Sequence, residues 1–207
     1  MLKPVLGNNQ EIGWKGEWYN GQLNATVALF QINQKNRPVY IDDATHKNGG
    51  YYGTLGEVRS RGVDVEISGK ITDDWQLFAG YTFNQSKYLE TESSRYLAGT
   101  NYSKHTPKHM FRLYTDYNLP FDSKKWSVGA GVMMQSETDS LYSVKQGGYA
   151  IWDANIRYQV SKHIALGIVG KNLTNRKYYE NNRVRTLGIN NFYGQERTVV
   201  FNLDWKF

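Results

Sequence analysis

Nine segments of this chain alternate apolar and polar residues with a period of two, and the connections between them alternate just as regularly between short and long. The segments lie at about 10–18, 22–33, 57–70, 75–88, 109–119, 126–136, 149–160, 163–173 and 196–207. Successive side chains of a β-strand point to opposite faces, so this period predicts strands with one apolar and one polar side. In RGVDVEISGKI, Val63, Val65, Ile67 and Ile71 share one side and Asp64, Glu66, Ser68 and Lys70 the other. The closing stretch RTVVFNLDWKF sets Val199, Phe201, Leu203, Trp205 and Phe207 against Asn202, Asp204 and Lys206.

The short connections, YNG, TDD, PFDSKK and the SK of QVSKH, are rich in turn-forming residues. The long ones occupy about 34–56, 89–108, 137–148 and 174–195. A sandwich mixes loop lengths without such order, whereas an outer-membrane barrel has short turns on the periplasmic side and long loops outside. If the last strand runs toward the periplasm, every short connection falls on that side. The predicted fold is therefore all-β: an antiparallel, up-and-down, transmembrane β-barrel portion.

Composition agrees. Among 207 residues there are 20 Gly, 16 Tyr and 6 Trp but only 4 Pro and no Cys, so disulfides and thiolate zinc sites are excluded. Mean hydropathy is −0.64, and no apolar run approaches the roughly 18 residues of a membrane-spanning helix. The net charge is +6, but the cations are scattered singly through alternating segments, which argues against nucleic acid as a partner.

Tryptophan gives a separate check, because Trp and Tyr favour the membrane–water interface. Trp18, Trp75, Trp126 and Trp205 all fall at short-turn ends of their segments and on the apolar side, which predicts an aromatic girdle completed by Phe207. The polar side carries Lys15, Glu17, Asp64, Glu66, Lys70, Arg112, Asp116, Arg157 and Lys171. Such charges at mid-strand are costly against lipid, so this side is expected to face a lumen.

No catalytic constellation emerges, and the chain is not expected to be an enzyme. His105 and His109 have the spacing of a helical metal pair, but Pro107 between them disfavours a helix. The acidic pair Asp42 and Asp43 reads as a solvated loop. Neither a cofactor nor a resident metal is expected.

With these residues in view, the chain resembles the C-terminal barrel part of TonB-dependent outer-membrane receptors, of the hydroxamate and pyoverdine ferric-siderophore type. The resemblance is carried in order by NNQEIGWKGEW, GEVRSRGVDVEISGKITDDWQLFAGYTF, HTPKHMFRLYTDYNL, GGYAIWDANIRYQVSKHIALGIVGKNLTNRKYYE and NNFYGQERTVVFNLDWKF. KNLTNRKYY is particularly similar to the family's NNLFDKKYY. The resemblance implies a barrel of about 22 strands, of which this chain supplies nine. The N-terminal stretch MLKPVLGNNQEIGWKGEW has no basic segment followed by an apolar core. The expectation is thus a C-terminal portion without signal peptide, TonB-contacting box or plug domain.

The same resemblance implies the partners: a ferric siderophore, which brings its iron already wrapped, the plug domain held by the lumenal charges, TonB through the missing N-terminal part, the barrel assembly machinery, and outer-membrane lipid. Candidate siderophore contacts in the long loops are Tyr40, Tyr51, Tyr52, Arg95, Tyr96, Tyr102, Tyr142, Arg183, Arg185 and Tyr193. Aromatic faces and a few cations suit the outer surface of a chelate. Other readings remain open: a non-transport barrel, such as an adhesin or a fragment that pairs with another chain, and a glycan-binding β-sandwich.

Overall fold

The computed structural model describes residues 2–93, 96–140, 144–181 and 192–207. The strands are β1 (Leu6–Trp18), β2 (Leu23–Asp42), β3 (Gly50–Thr72), β4 (Trp75–Glu90), β5 (His109–Asn118), β6 (Trp126–Gln135), β7 (Thr138–Asp139), β8 (Lys145–Gln146), β9 (Tyr149–Gln159), β10 (Ile164–Lys171), β11 (Tyr179–Asn181), β12 (Phe192–Tyr193) and β13 (Thr198–Trp205). Nine of them form one sheet in the order β1-β2-β3-β4-β5-β6-β9-β10-β13, and β7-β8 and β11-β12 are small hairpins in the long connections. Every pairing in the large sheet is antiparallel between neighbours in its order. A single sheet of this order is not a sandwich, which needs two packed sheets.

Register carries each face unbroken across all nine strands, because directly paired residues share a side. Trp14, Val27, Val65, Tyr81, Phe111 and Met134 follow one another from β1 to β6. Lower on the same side, Val128, Ile156, Ile168 and Phe201 continue from β6 to β13. The residues between them form the second side: Glu66, Gly80, Arg112 and Met133 pair in succession. Apolar side chains on the first side remain open to the surroundings, with Ile12 73% and Phe201 76% exposed. A sheet that leaves this much hydrocarbon uncovered in a continuous field fits an apolar solvent.

The short connections are tight. Tyr19, Asn20 and Gly21 take positive φ values of 53°, 54° and 85° between β1 and β2. Lys124 joins the β3–β4 and β5–β6 turns through a 2.5 Å hydrogen bond to Asp74.

One long connection is shorter than the sequence predicts. Residues 34–56, read as a loop, are mostly strand: β2 runs on to Asp42 and β3 begins at Gly50, so the loop shrinks to 43–49. The pairing passes through two irregularities, between Gln34 and Arg37 and between Arg37 and Val39. Each bulge inserts a residue and breaks the period of two, which is why alternation stopped being visible there.

Candidate functional site

At the long-loop end of β2, β3 and β4 the polar face closes into a partly enclosed aromatic cavity. Tyr88 starts it. On β4 it follows Asn84 and Ser86 on the polar side and pairs with Val58. Beneath it Ser60 donates to Asn84 at 2.6 Å and lies 3.0 Å from the Ser86 hydroxyl. An aromatic ring in such a row needs cover, and the chain after β4 supplies it by folding back. The Tyr88 N–H donates to the Thr100 carbonyl, the Gly99 N–H donates to the Tyr88 carbonyl, and the Tyr102 N–H donates to the Ser86 carbonyl. Gly99 permits the turn with φ of 81°.

That return puts Tyr96 against Tyr88, stacked at 5.5 Å, and Tyr102 edge-on to it at 5.3 Å. Both arrangements suit the ring quadrupole. Arg37 on β2 lays its guanidinium 4.8 Å from the Tyr102 ring centre and donates to the Gln34 side chain at 2.6 Å. Val39, Val58 and Tyr88 are buried here and form a local core. Burial, with Tyr96 and Tyr102 adding to it, pushes the Tyr88 phenol up to about 12, so its hydroxyl stays neutral and able to donate.

Tyr40 and Tyr52 form the opposite wall, edge to face at 5.5 Å. A Cβ at Gly50 would lie 2.5 Å from the Tyr40 hydroxyl, so only glycine lets that ring lie across the hairpin. The enclosed space is about 500 Å³, lined by Arg37, Tyr40, Asp42, Tyr52, Tyr88 and Tyr102 among others. One guanidinium and one carboxylate thus stand among several aromatic faces, an arrangement able to hold a polar, partly charged molecule against flat rings.

Of the sequence-based candidates, the cavity gathers Tyr40, Tyr52, Tyr96 and Tyr102. It does not gather Tyr51, whose ring lies 5.6 Å from His46, nor Tyr193, which stacks on Tyr179 at 4.7 Å in the β11–β12 hairpin. Arg95, Tyr142, Arg183 and Arg185 lie outside the described residues. Sequence reasoning missed Arg37, Asp42 and Tyr88 as lining groups. Tyr88 was visible in principle, since it is an aromatic in the polar half of a strand's alternation.

The remaining assignments can be placed by register. Lys15, Glu17, Asp64, Glu66, Lys70, Arg112, Asp116, Arg157 and Lys171 all fall on one side of the sheet. Among the described residues, the ion pair that a member of this set makes is that of Arg157 with Asp204, outside the set, at 3.9 Å. Trp18, Trp75, Trp126 and Trp205 fall on the other side, at the short-turn end, with Phe207 5.1 Å from Trp205. Asp43 accepts from the Thr45 hydroxyl and N–H at 2.6 and 2.9 Å, which holds its carboxyl below the usual range. His109 lies 2.8 Å from the Tyr81 hydroxyl, and among the described residues no cluster of metal-ligating side chains forms.

Comparison with known proteins accounts for the whole chain. The family model for the TonB dependent receptor-like β-barrel matches residues 1–205. The ferric-pyoverdine M114 receptor PbuA of Pseudomonas sp. (strain M114) is 34% identical over 211 residues, covering 100% of this chain and 25% of that protein. The ferripyoverdine receptor of the outer membrane of Pseudomonas aeruginosa, solved with ferripyoverdine bound, superposes with a TM-score of 0.83 at 27% identity, over 100% of this chain and 28% of that one. The ferric-catecholate import receptor Fiu of E. coli K12 superposes equally well, with a TM-score of 0.83 at 25% identity and the same coverage. The chain spans about a quarter of the length of the curated ferric-pyoverdine receptors it matches. By sequence and by architecture, the chain belongs to the TonB dependent receptor-like β-barrel family.

Proposed function

We propose that this chain is the C-terminal barrel portion of an outer-membrane receptor that takes up ferric siderophores with energy delivered through TonB. The observation that carries the reading is the aromatic cavity on the polar side of the sheet at its long-loop end, together with relatives named as ferric-pyoverdine and ferric-catecholate receptors. In this reading the apolar side meets lipid and the polar side faces the lumen, where Lys15, Glu17, Asp64, Glu66, Lys70, Arg112, Asp116, Arg157 and Lys171 hold a plug domain. Trp18, Trp75, Trp126, Trp205 and Phe207 mark the periplasmic interface.

The open ends of the sheet support a larger assembly. β1 and β13 each hydrogen-bond one neighbour, and an uncovered edge in lipid leaves N–H and C=O groups that cost several kcal/mol each. Further strands are therefore required on both sides. TonB and the plug act through parts of the receptor beyond this sheet, and the assembly machinery acts on its last strand. The siderophore arrives as a finished chelate, so its recognition falls to rings and charges such as Arg37, Tyr40, Tyr52, Tyr96 and Tyr102, and no protein ligand to iron is needed.

The test is equilibrium binding of labelled ferric pyoverdine and ferric catecholate to cells carrying equal surface amounts of the complete receptor. Replacing Tyr40, Tyr52, Tyr96 and Tyr102 together by Ala should weaken binding of the cognate chelate by tenfold or more, since each aromatic or cationic contact contributes roughly 0.5–2 kcal/mol. Unchanged affinity for both chelates would remove the cavity from the recognition site.

A further inference from the structure

Across β1 to β4 the apolar side ends at one level. Its last apolar row is Ile12, Leu29, Val63 and Phe83, each directly paired with the next. The next row on the same side is Gln10, Gln31, Arg61 and Gln85, and the one after it is Asn8, Asn33, Arg59 and Lys87. Three cations thus stand together immediately beyond the hydrocarbon face, with Arg59 and Lys87 directly cross-strand. Like charges set opposite each other destabilise a sheet unless something neutralises them.

Among the described residues, Arg59, Arg61 and Lys87 make no ion pair, and the nearby carboxylate Glu57 lies 3.8 Å from Lys35. The height is also specific. On β4, Phe83 is eight residues from Trp75 and Lys87 is twelve, about 26 and 40 Å along the strand at about 3.3 Å per residue. For strands tilted by about 40° these become roughly 20 and 30 Å along the membrane normal, which bracket the upper edge of an apolar band about 25 Å tall. The cations therefore stand at headgroup level, on the side that meets lipid.

We propose that Arg59, Arg61 and Lys87 form a binding site for the phosphate groups of an anionic lipid in the leaflet on the long-loop side. The site rests on the reading that the apolar face meets lipid. Two guanidiniums and an ammonium give charge-assisted hydrogen bonds to phosphate oxygens, with Arg able to bind two at once. Gln31 and Gln85 flank Arg61 with further donors, and acyl chains continue down over Val63 and Phe83. At the short-turn end this side carries Trp18, Trp75, Trp126 and Trp205 instead.

The experiment uses the complete receptor carrying this chain, purified in a nonionic detergent and titrated with micelles doped with phosphatidylglycerol, with retained lipid phosphorus as the readout. Phosphatidylcholine and inorganic phosphate are run in parallel. The expected result is retention of phosphatidylglycerol that weakens with salt and is lost about tenfold or more in the Arg59→Gln, Arg61→Gln, Lys87→Gln triple variant, three cations near an anionic surface each contributing severalfold. Lys35→Gln should retain the lipid. Equal retention by the triple variant, equal retention of phosphatidylcholine, or displacement of the lipid by equimolar inorganic phosphate would each overturn the proposal, the last by making it a soluble-anion site. Heat-modifiable mobility of each variant reports barrel assembly separately, so a wild-type protein without it would sink the membrane reading instead. If the triple variant does not assemble, Arg61→Gln alone should lose several-fold and Arg59→Lys with Arg61→Lys should retain most binding; the reverse order would overturn the site.

Discussion

The two sides of this sheet are built from neighbouring residues of the same strands, yet they answer to different solvents. Val65 and Glu66 are adjacent on β3; one continues the row Trp14, Val27, Val65 and Tyr81, and the other pairs with Thr26 and Gly80. The apolar side is uniform, made of repeated rows that differ little from strand to strand. The polar side is differentiated, with charges along its length and a buried aromatic cluster at one end. Uniformity suits a solvent that is the same everywhere, and differentiation suits a surface that must recognise something.

The sharpest way to break this contrast is to place the same residue on each side. Val65→Arg should destabilise the assembled barrel by about 2–4 kcal/mol, the cost of a cation near the bilayer midplane, while Glu66→Arg should cost far less. Folding of the complete receptor into lipid vesicles, titrated with urea, measures both, and equal values would reverse the assignment of faces. Next in size, the polar side should prove intolerant of a methyl where it tolerates a charge. Gly62→Ala should destabilise by about 1–3 kcal/mol, because its Cβ would collide with the Phe83 carbonyl oxygen and crowd the Phe30 ring. The same urea titration decides this.

Smaller effects sharpen the differentiated end. Arg37→Ala should weaken siderophore binding by about 0.5–2 kcal/mol through loss of the cation over Tyr102, without changing barrel assembly. Alkaline titration of phenol absorbance should show a late step, because burial pushes the Tyr88 phenol up to about 12. Since the folded value lies above the ordinary 10, the contribution of Tyr88 to the cluster is complete below pH 10 and is lost as pH rises through about 12. Tyr88→Phe should diminish that late step. The smallest effect belongs to the short-turn end: Lys124→Ala removes an exposed ion pair with Asp74, which water screens, so the urea midpoint should hardly move.

The faces were legible in the sequence because the signal for them is local and repetitive. Nine segments, the alternating loop lengths and the four tryptophans at one end all follow from period and turn chemistry, and the sheet order bears out the nine segments strand by strand. The cavity was legible only in its parts. Tyr40, Tyr52, Tyr96 and Tyr102 stand out as loop aromatics, but what joins them is the return of residues 96–102 onto β4, a contact that no period announces. Arg37 was lost for another reason: the bulges on both sides of it reset the alternation, so its side of the strand could not be counted.

The length of the β2–β3 hairpin has a mechanical consequence. Strands of 20 and 23 residues are about twice the 9–11 residues needed to cross a bilayer, so roughly half of the hairpin stands clear of the lipid as a paired ribbon. A ribbon braced by backbone hydrogen bonds and by the returning segment is stiff in the way a flexible loop is not. In the proposed receptor it fixes the height and aim of the aromatic walls before a chelate arrives, so capture would not have to begin by ordering them. In the proposed receptor the tip at 43–49 stands out beyond the lipid, where an antibody or a protease in the medium would reach it.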